Sequence, residues 1–351
     1  MRIDPKDERL EYMGRVDFDS AGGPTLVFPC TNVKLLITGT TGLSVRLINH
    51  RSWADNYMGV ITDGEQKCIC IYNEDSPNNN DLFTLAENLD PAKVHEIMLF
   101  KRMDSCHTVQ IAEFIADDGA ELKPCHTKYK RKLEFYGDSV TAGEVSEAID
   151  YCKKNDPVNK GEYSNSYWSY AWITARLLDA QIHDIAQGGI SLLDDTGWYA
   201  GPDYKGIFNM YDRIEYNPDL GVTKRFDFSS YMPDTVIIAI GQNDANPVNF
   251  MAEDYEGDMA ELWRRSYEYF VSLIRKRRPD ADIVLTTTIL GHDPAWDRAI
   301  DEVCNKMRAK DTKIHHFMYT NNGCGTPGHI RKPEAEVMAQ ELKSFLLSLR
   351  S

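Results

Sequence analysis

From residue 128 onward, short apolar runs alternate with amphipathic helical patterns, and this alternation restricts the fold more than any other feature of the chain. The runs are LEFYG (133–137), QIHDIA (181–186), DTVIIAI (234–240), DIVLTTTI (282–289) and KIHHFMY (313–319). Between and after them lie SYAWITARLL, MAELWRRSYEYFVSLIRKR and PAWDRAIDEVCNKM, the last with Asp293 as its expected cap and Pro294 at its first position. A final helix is expected after Pro333, with Met338, Leu342, Phe345 and Leu346 as its apolar stripe. Strands that read as continuous apolar runs are buried on both faces, so this half is expected to be α/β, a parallel sheet covered on both sides by helices. In such sheets ligands bind beyond the carboxyl ends of the strands.

Residues 1–127 follow a different pattern. LSVRLIN (43–49) puts Leu43, Val45 and Leu47 on one face, and VIT, then DGE, then KCICIY reads as a hairpin about Asp63-Gly64. VHEIMLF and TVQIAEFIA supply further strands, and NEDSPNNND (73–81) reads as a loop. An all-β domain over 1–127 followed by an α/β domain over 128–351 is therefore expected, joined at a basic, polar connector near 125–131. There is no internal repeat and no low-complexity tract.

Composition excludes several classes of function. Lys and Arg number 39 against 54 Asp and Glu, a net charge of −15 that repels nucleic acid and anionic lipid alike. The first twenty residues are charged and lack an apolar core, so the chain as given is expected to be cytoplasmic. Its eight cysteines are scattered, and only Cys68 and Cys70 lie close together, on one face of a strand. They are expected to be reduced thiols, with no metal bound.

Four places at strand ends, or just before the last helix, carry chemistry. Gly137-Asp138-Ser139 sets a hydroxyl where a buried strand stops, and Gly188-Gly189 offers backbone N–H groups after the second run. Gly241-Gln242-Asn243-Asp244 brings a side-chain amide after the third, and His329 lies in a Gly- and Pro-bounded loop. Taken singly, each reads as well as a helix cap, a turn or a structural histidine. Taken in order, they supply hydroxyl, backbone donor, amide and imidazole at one rim of one sheet.

That order resembles the SGNH (GDSL-like) esterases over residues 130–351, carried here by Ser139, Gly189, Asn243 and His329. A β-sandwich containing HEIMLFKRMD (95–104) before such a domain is similar to carbohydrate esterase family 2. The resemblance implies a flavodoxin-like three-layer domain preceded by a jelly-roll-like sandwich. It implies removal of acetyl groups from xylan- or glucomannan-type saccharides through an acyl-serine. Ser139 would be the nucleophile, His329 the base, and the Ser139 N–H, the Gly189 N–H and the Asn243 amide the oxyanion hole, with neither metal nor organic cofactor.

The family usually carries an Asp three residues before the His, where this chain has Thr326. The expectation is accordingly a Ser-His dyad with a backbone carbonyl orienting His329, while Asp244 or another carboxylate arriving from elsewhere stays open. Asp138, Trp198, Tyr199 and Trp296 are candidate substrate contacts, the aromatics as pyranose platforms. The polar stretch 144–165 disfavours a long acyl chain. Two other readings stand beside this one: a carbohydrate-binding protein that has lost activity, and a lysophospholipase or thioesterase. Homo-oligomerisation is left open.

Overall fold

The computed structural model describes residues 1–349 apart from 52–54, 73–75, 159, 199–204 and 218–221. The amino-terminal part is a sandwich of two antiparallel six-stranded sheets. One contains Leu43–Arg51 and His107–Ala116 at its centre; the other is built on Asn32–Thr38, His95–Lys101 and Asn56–Thr62. The period-2 pattern explains the packing. Val33, Leu35 and Ile37 of one sheet and Val45, Leu47, Val109 and Ile111 of the other point into one core. At the tip of the predicted hairpin Asp63 and Gly64 both adopt positive φ, 49° and 90°, as a tight two-residue turn requires.

The carboxy-terminal part holds a five-stranded sheet of β1 (Arg131–Gly137), β2 (Ala180–Ala186), β3 (Thr235–Ala239), β4 (Asp282–Thr286) and β5 (Ile314–His316), all parallel, in the order β2-β1-β3-β4-β5. This is the flavodoxin-like order, and its crevice opens where the chain reverses direction, between the ends of β1 and β3. The fourth and fifth apolar runs extend past their strands, because TTI (287–289) and FMY (317–319) continue into loops.

The helices include α1 (Ser139–Ala142), α2 (Tyr170–Leu177), α3 (Asp258–Arg277), α4 (Pro294–Arg308) and α5 (Lys332–Ser348), and a further short one spans Phe250–Glu253. Tyr136, Val236, Ile238 and Leu285 pack on α3 and α4. Phe135, Ile237 and Val284, which alternate with them along the strands, pack on α2 and α5. The Asp293 side chain caps α4 by accepting the Ala295 N–H. One hairpin, Arg213–Asn217 with Val222–Arg225, has no counterpart in the sequence reading.

The two parts are joined through buried groups. Arg15, from the sandwich, reaches beneath the parallel sheet and donates to Glu134 Oε1 (3.1 Å), the Tyr136 hydroxyl (3.0 Å) and the carbonyls of Tyr211 and Arg213. Arg278 grips both oxygens of the same Glu134 at 2.7 and 2.8 Å, and all three charged side chains are fully buried. Among the described residues no helix is long and apolar enough to cross a membrane.

Candidate active site

A cavity of about 730 Å³ opens at the carboxyl ends of β1, β2 and β3. Ser139, Gly189, Asn243 and His329 all line it, and Trp198 stands at its edge with 73% of its surface exposed. The chain arrives there for local reasons. β1 stops at Gly137, Asp138 caps α1 by accepting the Val140 N–H at 3.0 Å, and Ser139 becomes the first residue of the helix.

Asp138 does not face the cavity, which corrects its reading as a substrate contact. It is buried beneath the serine, where its Oδ2 accepts the amides of Gln242 (2.6 Å) and Asn243 (3.1 Å), and Thr288 in turn donates to Gln242 Oε1 (2.9 Å). Burial pushes its carboxyl up to about 6, against the hydrogen bonds from Val140 and Gln242 that favour the charged form. The second donor of the Asn243 amide goes to the Ile190 carbonyl at 3.0 Å. The amide is therefore held on two sides at the back of the cavity.

His329 does not rely on a backbone carbonyl. Its Nδ1 lies 2.7 Å from Asp156 Oδ2, and its backbone N–H also points to that carboxylate. Arg331 donates to the other oxygen, Oδ1, at 2.8 Å. This network sets the tautomer with the proton on Nδ1 and turns Nε2 away, where Glu144 Oε2 stands 3.7 Å off. Burial pushes the imidazole down, but Glu144's charge and then Asp156's bond raise it further, and the net shift is upward. Asp156, despite its own burial, is held below the usual carboxylate range by His329 and Arg331.

The dyad expectation is thus replaced by a carboxylate that comes from the polar 144–165 stretch. Thr326, standing where the family acid is usual, has a different task. It accepts the Lys153 N–H (2.8 Å) and donates to Glu334 (2.8 Å), tying the segment that carries Asp156 to the start of α5. Asp244 is not a partner of His329. It is buried, pushed up to about 6 by that burial, and accepts the N–H groups of Leu192 and Leu193 and the hydroxyl of Thr196.

Trp296 is corrected too. It lies on the inner face of α4, fully buried against Trp263 and Phe250, so it has no surface to offer a sugar ring. Tyr199 lies outside the described residues. Among the other cavity residues that sequence reasoning missed are Asp104 from the sandwich, Glu144 and His292. His292 is no rival base, because Leu290's carbonyl (2.6 Å) and Asp297 (2.9 Å) occupy its two ring nitrogens.

Residues 12–125 match the family model described as Carbohydrate esterase 2 N-terminal. The chain is 30% identical over 97% of its length to the cellulase/esterase CelE of Acetivibrio thermocellus, and spans only 39% of that longer protein. It is 24% identical over 97% of its length to an acetylxylan esterase / glucomannan deacetylase of Cellvibrio japonicus, covering 88% of it. Among solved structures, a family two carbohydrate esterase from Clostridium thermocellum, in complex with cellohexaose, superposes with a TM-score of 0.78 at 26% identity, over 97% of this chain and 98% of that one.

Proposed function

We propose that the chain hydrolyses acetyl esters of saccharides through an acyl-serine, a reading supported by its similarity to a carbohydrate esterase 2 model over residues 12–125 and to a family two carbohydrate esterase structure over 97% of its length. One observation carries the reading: Ser139 lines the same cavity as a histidine whose Nδ1 is fixed on a carboxylate at 2.7 Å.

In this mechanism Ser139 Oγ attacks the ester carbonyl while His329 Nε2 takes its proton. Asp156 holds the ring in that tautomer and stabilises the imidazolium. The tetrahedral oxyanion is met by the N–H of Ser139, the N–H of Gly189 and the Asn243 amide, which gives up its contact with Asp138 to do so. The intermediate collapses, the sugar oxygen leaves with the proton from Nε2, and the acetyl group stays on Ser139. A water, deprotonated by His329, then attacks the acyl-serine, and as the Ser139 Oγ–acyl bond breaks Nε2 returns the proton to Ser139 Oγ and acetate is released.

The cavity walls support a small acyl group on a polar alcohol. Asp104, Glu144, Gln242 and Asn246 line the cavity, a surface that an alkyl chain of a lysophospholipid would leave unpaired. Trp198 at the edge suits a pyranose ring stacked on its exposed face. The names of the relatives direct attention to acetylated xylan and glucomannan fragments. None of the eight cysteines forms a disulfide, which favours action in a reducing compartment on short saccharides. The inactive, purely binding alternative loses its main support, since a carboxylate does reach His329.

The test is acetate release from acetylated xylo- and mannooligosaccharides, alongside hydrolysis of 4-nitrophenyl acetate. Ser139→Ala is expected to fold and to lose at least about 10⁴-fold in kcat. Sugar binding without acetate release by the native chain, or wild-type rates in Ser139→Ala, would overturn the proposal.

A further inference from the structure

The sandwich domain contributes a side chain to the cavity, and its contacts define what that side chain does. Asp104 follows strand His95–Lys101 and is nearly buried, 7% exposed. Its Oδ1 accepts the Cys106 N–H at 3.1 Å, and its Oδ2 accepts the Gly188 N–H across the domain boundary at 2.7 Å. Its neighbours hold the same junction. Ser105 donates to Gln187 Oε1 at 3.0 Å, and the buried ammonium of Lys101 donates to the carbonyls of Met103 (2.9 Å) and Asp104.

Gly188 and Gly189 have no side chains with which to anchor themselves, and Gly189 sits at a φ of 71°. A Cβ at residue 188 would lie 2.8 Å from Glu144 Oε2 and 3.0 Å from Asp104 Oδ2, so the glycine is what admits the carboxylate this closely. Fixing the N–H of residue 188 fixes the peptide plane before it and restricts the next one, whose N–H belongs to Gly189. We infer that Asp104 is a positioning residue for the oxyanion hole: the sandwich, through one carboxylate, sets the direction of the Gly189 N–H. This rests on the esterase reading above and adds the amino-terminal domain to its catalytic apparatus.

The inference separates from a purely electrostatic effect by sign. A negative charge beside a forming oxyanion opposes it, so an Asp104 that acted through charge alone would slow the enzyme, and its removal would speed turnover. An Asp104 that acts by orientation is needed, and its removal slows it.

The experiment measures kcat and KM for 4-nitrophenyl acetate, and the rate of inactivation by a serine-directed phosphonate, in Asp104→Asn and Asp104→Ala. Loss of alignment of one oxyanion donor predicts a kcat lower by about 10-fold or more, KM within about two-fold, and phosphonylation slowed in parallel. Asn, which keeps one acceptor oxygen, is expected to fall between the native chain and Ala. A kcat that is unchanged or raised, or an effect confined to KM, overturns the inference; should Ala fail to fold, the Asn variant gives the same decision. If the native chain cleaves the aryl acetate but no acetylated saccharide, the substrate reading fails while Asp104 is still judged on the aryl ester.

Discussion

In an Asp156→Asn variant the shape around His329 is kept and a single charge is removed. Two unit charges about 4 Å apart interact by about 4 kcal/mol at an effective dielectric of about 20, which sets the upper range of what Asp156 gives the imidazolium. Two features reduce it. The carboxylate side chain is 26% exposed, and Arg331 already draws on its other oxygen at 2.8 Å. Retaining about 3 kcal/mol of the interaction corresponds to a kcat/KM lower by about 10²-fold. An amide turned so that its NH₂ faces Nδ1 would favour the wrong tautomer, for which about 10⁴-fold is the ceiling.

The pH profile gives an independent reading. The base must be neutral to accept the serine proton, so kcat/KM rises as pH climbs through the His329 pKa, which in the native chain is raised. Asp156→Asn removes one of the groups that raise it, so the rising limb moves to lower pH while the plateau drops. Initial rates on 4-nitrophenyl acetate from about pH 5 to 9 record both changes. A plateau within about three-fold of the native one and an unmoved limb would mean that orientation without charge suffices, and the carboxylate argument would be wrong.

Asn243→Ala should lower kcat by about 10²- to 10³-fold with little change in KM, as measured by steady-state kinetics on the same ester; a KM effect alone would place the amide outside the oxyanion hole. Glu134→Ala leaves the buried guanidinium groups of Arg15 and Arg278 facing each other without a counter-charge. Urea unfolding should show a loss of about 3–5 kcal/mol, and a loss below about 1 kcal/mol would show that those arginines find other partners.

What could be read from the sequence follows from where each group sits. β1 to β4 are buried on both faces, so burial itself wrote their apolar runs, and a sandwich strand such as Leu43–Arg51 buries Leu43, Val45 and Leu47 on one face and alternates. Ser139, Gly189 and Asn243 each follow a strand of a parallel sheet, and topology brings such ends together whatever their separation along the chain. Asp156 has no such marker. It belongs to an irregular segment, outside any helix or strand, and reaches His329 through tertiary contacts that leave no spacing behind. Asp104 is hidden for the same reason, standing just past a strand in the other domain. Trp296 was legible and misread: Trp296, Ala299, Ile300 and Val303 form one helical stripe, the pattern of a core face.

Gly328 restricts the routes by which this site can change through mutation. It has a φ of 82°, and a Cβ there would fall 2.6 Å from Asp156 Oδ2, inside the carboxylate that serves His329. An alanine arising at 328 would therefore evict an acid encoded 172 codons upstream, although the two positions share no local sequence.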